Sequence, residues 1–444
     1  MTITNWAGNI AFAPATLTRP GSAEELRATV AASSALRVLG AGHSFNTIAD
    51  SHGTLVTLDG LPHEIEIDSA RSTVRVSGGV RYAELASHLD KHGFALANLA
   101  SLPHITVAGA TATGTHGSGD RNGSLATAIT GVELLTADGD QVTVPDEQVS
   151  AAAVSLGALG ITTALTLRIV PAFTARQWVY DNLPRAELTA SFGQIYSSAY
   201  SVSAFTTWQD PGVIDMLWLK HRADDGWPPG PATGTPGGTS PDRTAPDGTP
   251  GGTSPGGTAP ETWHGARLAD GPRHPVPGQP TEATTQQQGA EGPWHERLPH
   301  FRAEFVPSAG EELQSEYLLP REYAADAIEA LVPLAPRIAP LLMINEIRTV
   351  AADDLWLSPC YGRPTVAMHF TWRKDTDAVG RVLPAIEDAF APFGTRPHWG
   401  KVFTMSPEGV RAAYPRLEDF ARLARSYDPA GKFRNDFLSP YLEA

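Results

Sequence analysis

The chain has 444 residues, with 33 basic and 48 acidic side chains for a formal net charge of -15, 41% hydrophobic residues and a single Cys. That length supports two or three domains with their own cores, while the acidic balance gives no electrostatic footprint for nucleic acid. The most apolar run, Leu331 to Ile344, is broken by Pro333, Pro336, Arg337 and Pro340, which excludes a spanning helix there, and the lone Cys360 excludes an intrachain disulfide.

Residues 1 to 9 carry no basic cluster followed by an apolar block, so no signal peptide is expected and the expected location is the cytoplasm. Ser22 and Glu25, behind Pro20, form a capping box that predicts a helix through Leu26 and Val30. Leu36 to Leu39 reads as a short strand entering Gly40, and Leu55 to Leu58 and Thr73 to Val76 read as further strands. Tyr82, Leu85 and Leu89 are spaced for a helix ended by Gly93, and Ile161 to Val170 alternates like a half-buried strand. Residues 1–173 therefore read as one α+β unit.

Pro228 to Pro260 holds 9 Pro, 9 Gly and 9 Ser or Thr in 33 residues, and Thr235 to Pro241 recurs at Thr249 to Pro255. Such a segment has too little apolar surface to offset its ordering entropy, so it reads as a disordered insertion. Beyond it, a helix from Ala324 to Leu334, strands at Leu342 to Val350 and Thr365 to Trp372, and a helix from Val379 to Phe390 complete a second α+β unit, 174–400. The segment 401–444 is too short for a domain and is expected to return to the first unit.

The strand ending at Leu39 feeds Gly40-Ala41-Gly42-His43-Ser44-Phe45-Asn46, where two glycines allow a sharp turn and bring N–H groups close to an anion such as a pyrophosphate. Phe45 stands where a dinucleotide fingerprint requires its last glycine, which disfavours nicotinamide. A second stretch, Ser101 to Gly119, interleaves Gly109, Gly114, Gly117 and Gly119 with Thr106, Thr113, Thr115 and Ser118, and suits a backbone that wraps an extended charged cofactor. In an otherwise apolar strand, Glu346-Ile347-Arg348 places two charges on one face about 7 Å apart, and charges in such strands are paired or functional. His369 and Thr371 share a face in the same way, and His398-Trp399-Gly400-Lys401 follows. His88 and His92 have helix spacing for zinc, but no Glu follows His88 and no third ligand is evident, so no metal is expected.

Gly40 to Asn46, the Ser101 to Gly119 stretch and the tail Tyr427-Asp428-Pro429-Ala430-Gly431-Lys432-Phe433 resemble the vanillyl-alcohol-oxidase family of FAD enzymes, and within it the bacterial alditol oxidases. The similarity runs from Asn5-Trp6-Ala7-Gly8-Asn9 to the tail and fails chiefly across Pro228 to Pro260. It implies a two-domain flavoprotein whose FAD-binding domain is split between 1–173 and 401–444, with a substrate (cap) domain between them. It also implies FAD joined covalently to His43, an assignment that imidazole nucleophilicity toward an oxidised flavin supports. Further cofactor contacts implied are Gly40, Ala41, Gly42, Ser44, Phe45, Asn46, Ser101, Thr106, Gly109, Thr113, Gly114, Thr115, His116, Ile161, His398 and Asn435. Ser101, Glu346, Arg348, His369 and Lys401 are implied for the polyol site, with Arg348 and Lys401 the catalytic pair that stabilises developing negative charge. The implied partners are a small polyol such as xylitol or sorbitol, and oxygen, acting on a monomer. The rival readings are an aldonolactone oxidase or dehydrogenase and a flavin- or sugar-binding protein without turnover.

Overall fold

A computed structural model describes residues 3–223, 259–305 and 311–443. Apart from its last two residues, the proposed insertion at Pro228 to Pro260 lies outside the described residues.

Ser22 caps the helix Ala23–Ala32 by accepting from the Glu25 N–H at 3.1 Å, and Glu25 reaches back to the N–H of Gly21 at 2.7 Å. Leu26 and Val30 are its buried residues, so capping and apolar spacing agree. The strand Leu36–Val38 pairs in parallel with Thr54–Val56, which pairs on its other side with Thr16–Thr18. A five-stranded antiparallel sheet follows, in the order Gln141–Thr143, Ile129–Leu135, Ile161–Arg168, Thr73–Ser77, Ile65–Asp68. The expected simple alternation from Ile161 to Val170 is interrupted by register shifts against Ile129–Leu135, and the strand stops at Arg168. The Ser101 to Gly119 stretch is not wholly extended: Val107–Ala112 forms a short helix whose cap, Thr106, accepts from the Gly109 N–H. A side chain at Gly40 or Gly109 would lie 2.7 Å from Thr106 Oγ1, so close packing requires glycine at both positions.

A larger antiparallel sheet contains, in order, Thr174–Pro184, Val213–Arg222, Ser201–Thr206, Leu342–Val350, Thr365–Arg373 and Glu312–Pro320. The helices Ala324–Leu331 and Thr376–Phe390 cover one face, burying Ile328, Leu331, Val382 and Ile386 against Ile347, Met368, Phe370 and Tyr317. Residues of opposite parity on the same strands, including Glu346, Arg348, His369 and Glu316, turn to the other face. Both faces being covered, Leu342–Val350 and Thr365–Arg373 are buried almost throughout.

The tail fastens to the N-terminal unit. Val410, Leu417, Phe420, Leu438 and Leu442 share a core with Val74, Leu85, Val132 and Leu165. The buried Arg37 donates to the carbonyls of Ile48, Leu156, Gly157 and Phe433, while Lys432 Nζ donates to Val30 and Ala137. Among the described residues, no helix is long and apolar enough to cross a membrane.

Candidate active site

One cavity of about 540 Å³ opens between the glycine-rich turns and the large sheet. Along one side run Gly40, Ala41, Gly42, His43, Ser44, Phe45, Gly78 and Gly79, with Thr106, Gly109, Thr113, Thr115 and His116. At the other end stand Ser101, His300, Glu316, Glu346, Arg348, His369, His398 and Lys401.

Sheet register explains the polar end. Directly opposed residues share a face, and the pairs Phe205↔Glu346, Glu346↔His369 and His369↔Glu316 make one row across four strands. Arg348 and Thr371 lie two residues along from that row on the same face. The remaining groups arrive on loops. Phe45 N–H donates to the Gly400 carbonyl at 2.7 Å and Asn46 Nδ2 to the carbonyls of Trp399 and Lys401, so the glycine turn and the Lys401 segment are strapped together. The Ser101 carbonyl accepts from the N–H groups of His300 and Phe301, which brings that turn to the same cavity.

Glu316 is the electrostatic centre. Its carboxylate accepts from Arg348 Nη2 at 2.5 Å and Lys401 Nζ at 2.6 Å, with His116 Nε2 at 3.3 Å and His369 Nδ1 at 3.7 Å. Burial opposes its ionisation, yet Lys401 and Arg348 hold the carboxyl well below the usual range. Glu346 likewise resists burial and is held low by Arg348 and His300; its Oε1 lies 2.7 Å from His300 Nε2 and its Oε2 3.6 Å from Arg348 Nε. Arg348 Nε is buried and makes no hydrogen bond. Burial and the Lys401 charge pull His369 down to about 4, so its imidazole is neutral near pH 7. Lys401 Nζ lies 2.5 Å from His369 Nδ1, which places the ring proton on Nε2, 3.2 Å from Thr371 Oγ1. Burial also lowers Lys401 itself.

At the other end, burial, His104 and Arg81 pull His43 down to about 4, and Trp6 stacks on its ring with centroids 4.7 Å apart. Gly42 holds a left-handed backbone, φ +71°, that lets the turn reverse. Among the described residues, the N–H groups of Ala41, Gly42, His43 and Ser44 take no acceptor, and all four residues line the cavity. A run of unpartnered N–H donors on residues that line the cavity suits an anionic diphosphate, so the residues present fit FAD.

Four of the cofactor positions implied by the sequence do not line the cavity. Asn46 is occupied by the carbonyls of Trp399 and Lys401. Gly114 packs on Pro359. Ile161 is buried with Leu26, Leu36 and Phe433, although its neighbours Gly160 and Thr162 line the wall. Asn435 donates to the carbonyls of Thr47, Ile48 and Asp50 and so fastens the tail to the segment behind the glycine turn. The sequence reading missed Glu316 and His300. Glu312, Gln314 and Glu316 recur at period two, as Glu346 and Arg348 do, although Ser315 blurs the alternation, and that spacing could have placed Glu316 on one face, whereas His300 lies on a loop without a local signal.

Two family models match the chain: an FAD binding domain over residues 14–145 and a D-arabinono-1,4-lactone oxidase model over residues 311–441. The chain is 50% identical to an alditol oxidase of a Streptomyces species, over 99% of each protein. It is 28% identical to an L-gulono-1,4-lactone dehydrogenase of Mycobacterium tuberculosis over 99% of this chain and 98% of that protein. Among solved structures, cholesterol oxidase from B. sterolicum superposes with a TM-score of 0.75 at 14% identity, covering 99% of this chain and 96% of that one, a likeness of fold alone.

Proposed function

The chain belongs to the alditol oxidase family, and on that premise we propose that it oxidises the terminal carbinol of an acyclic polyol such as xylitol or sorbitol, with FAD as cofactor and oxygen as electron acceptor. FAD, when bound, supplies the acceptor for the carbinol hydride at N5 and returns the electrons to oxygen, giving aldose and hydrogen peroxide. Residues 1–173 and 401–444 would form the FAD-binding domain and 174–400 the cap. Ala41 to Ser44 would hold the diphosphate through their free N–H groups, Thr106, Gly109, Thr113, Thr115 and His116 would line its bed, and His43 would carry the covalent link. The neutrality of His43 near pH 7 supports this, because only an unprotonated ring nitrogen is nucleophilic.

The observation that carries the polyol reading is the pair formed by Glu346 Oε2 and Arg348 Nε, 3.6 Å apart, where the buried Nε has no partner. A hydroxyl both donates and accepts, so one polyol hydroxyl can bridge them. A site built to bond a hydroxyl rejects analogues that lack it, because its buried groups are then left unpaired. Ser101, Thr371 and His369 offer further polar groups in the same cavity. Arg348 and Lys401 would favour the negative charge that develops as the carbinol loses its proton.

The test is to mix the purified yellow protein with xylitol under anaerobic conditions, with galactonolactone in a parallel cell. Bleaching by xylitol alone, reversed by air with peroxide formed, is expected; bleaching by the lactone alone moves the protein to the lactone branch. For the covalent link, His43→Ala should release all flavin on acid precipitation, and mutant protein that stays yellow defeats the assignment. The reading also keeps a cytoplasmic monomer, for which a dimer in gel filtration would be the contrary result.

A further inference from the structure

Lys220 stands on Val213–Arg222, fully buried, and its Nζ lies 2.5 Å from the Leu298 carbonyl, 2.9 Å from the Pro299 carbonyl and 3.1 Å from His300 Nδ1. An ammonium has three donors and no acceptor, and two of these partners are carbonyl oxygens, which only accept. The third donor therefore goes to Nδ1, which must present its lone pair. Burial and the Lys220 charge pull His300 down to about 4, so the ring is neutral and its one proton sits on Nε2, 2.7 Å from Glu346 Oε1. Phe205 and Trp218 pack edge-on against the same ring, with centroids 5.6 and 5.2 Å away, and hold its plane.

We propose that Lys220 and His300 are positioning residues for Glu346: Lys220 sets the tautomer of His300, whose Nε2–H occupies Glu346 Oε1 and leaves Oε2, beside Arg348 Nε, for a polyol hydroxyl. The inference rests on the reading of Glu346 as a polyol ligand. It deepens that reading by making the free oxygen of Glu346 the consequence of a buried ammonium outside the cavity lining. Burial lowers Lys220 to about 7 against the opposing charge of Glu346. Were the ammonium lost, Nδ1 would no longer be held to its lone pair and the Glu346 carboxylate alone would keep the ring proton on Nε2, so the Lys220 and Glu346 charges support one another. The charged groups bearing on His300 are Lys220, Glu346 and Arg348.

The test uses the full-length, flavin-loaded enzyme and anaerobic flavin reduction by xylitol. In Lys220→Met and His300→Leu, the xylitol concentration for half-maximal reduction should rise roughly tenfold to a hundredfold, with the limiting rate within about threefold. His300→Gln, whose amide can reach the Nε2 position and donate, should stay within about fivefold of the wild type. In His300→Leu, Glu346 loses a donor, so the acid limb of the half-saturation profile should move to higher pH, whereas in His300→Gln it should not. Gln falling as far as Leu, or Lys220→Met and His300→Leu leaving half-saturation and acid limb in place, overturns the proposal. If Lys220→Met does not fold, the two His300 variants decide alone. ¹⁵N-histidine NMR of the wild type, with the His300 signals identified by their loss in His300→Gln, should show a protonated Nε2 and a bare Nδ1; the reverse overturns the proposal without any substrate. A wild-type flavin that no polyol bleaches defeats the functional reading instead, and the NMR result still decides the tautomer.

Discussion

Five charged or titratable groups, Glu316, Glu346, Arg348, His369 and Lys401, meet at one end of the cavity, the first four buried and Lys401 nearly so, and each is tolerable only because the others are present. Arg348→Lys keeps the charge but loses the planar fork and the free Nε–H. We expect kcat/KM for xylitol to fall roughly tenfold to a hundredfold, measured by peroxide formation. Glu316→Gln removes the anion between two buried cations, and a loss of about 3–5 kcal/mol in denaturant unfolding is expected. The buried imidazoles of His300 and His369 give stability a definite pH sign. Both are lowered to about 4 in the folded state, against about 6.5 unfolded. Between those values the unfolded chain binds more protons, so stability should fall as pH drops from about 6.5 to about 4, by roughly 1.4 kcal/mol per pH unit for each ring. Glu316 and Glu346, held low when folded, add a further loss below the ordinary carboxylate range. Denaturant curves at pH 7.5, 6 and 5 would read the first part; a flat profile would contradict it.

At the scale of elements, the site is a matter of register and straps. A one-residue slip of Thr365–Arg373 would turn His369 toward the covering helices and Met368 or Phe370 toward the cavity. The glycine turn is held by three hydrogen bonds from two segments: Trp6 N–H donates to the Gly42 carbonyl and Asn5 Nδ2 to the Ser44 carbonyl, while Phe45 N–H donates to the Gly400 carbonyl. Arg37 does the same for the tail, its guanidinium reaching four carbonyls on three separate segments. Arg37→Met leaves those carbonyls unpaired in a buried place and should cost roughly 3 kcal/mol or more in denaturant unfolding. Faster amide exchange should appear at residues 432–438 before it appears in the five-stranded sheet.

For the whole molecule, the cavity exists because two cores meet. Segments distant in sequence, around residues 40, 101, 300, 316, 346 and 401, each contribute a few groups, so its integrity depends on the chain returning to its beginning. From its composition, the Pro- and Gly-rich segment is expected to take no part in that arrangement. Removing residues 228 to 258, which spares the Pro260 carbonyl that accepts from Tyr180, should leave xylitol turnover within about twofold. A large loss of turnover would assign that segment a role.

The sequence by itself determined the α+β class, most of the elements and the residue types of the site, because capping, apolar periodicity and glycine are local properties. Ser22, the Tyr82 to Leu89 spacing and the Gly40 to Asn46 turn state their structure within a few residues. Alternation also placed Glu346 and Arg348 on one face, since period two is a property of a strand whatever its neighbours. Only the tertiary structure decided which partners those charges have. Glu316 enters through a strand pairing, His300 through a turn held by the Ser101 carbonyl, and Lys220 through a buried contact with that turn. The same distinction explains Ile161, Gly114, Asn46 and Asn435, which stand in motifs beside the cavity but are spent on packing or on fastening the loops that form it. Local spacing specifies which way a side chain points along its own strand, whereas the group it meets is set by the segments that fold against it.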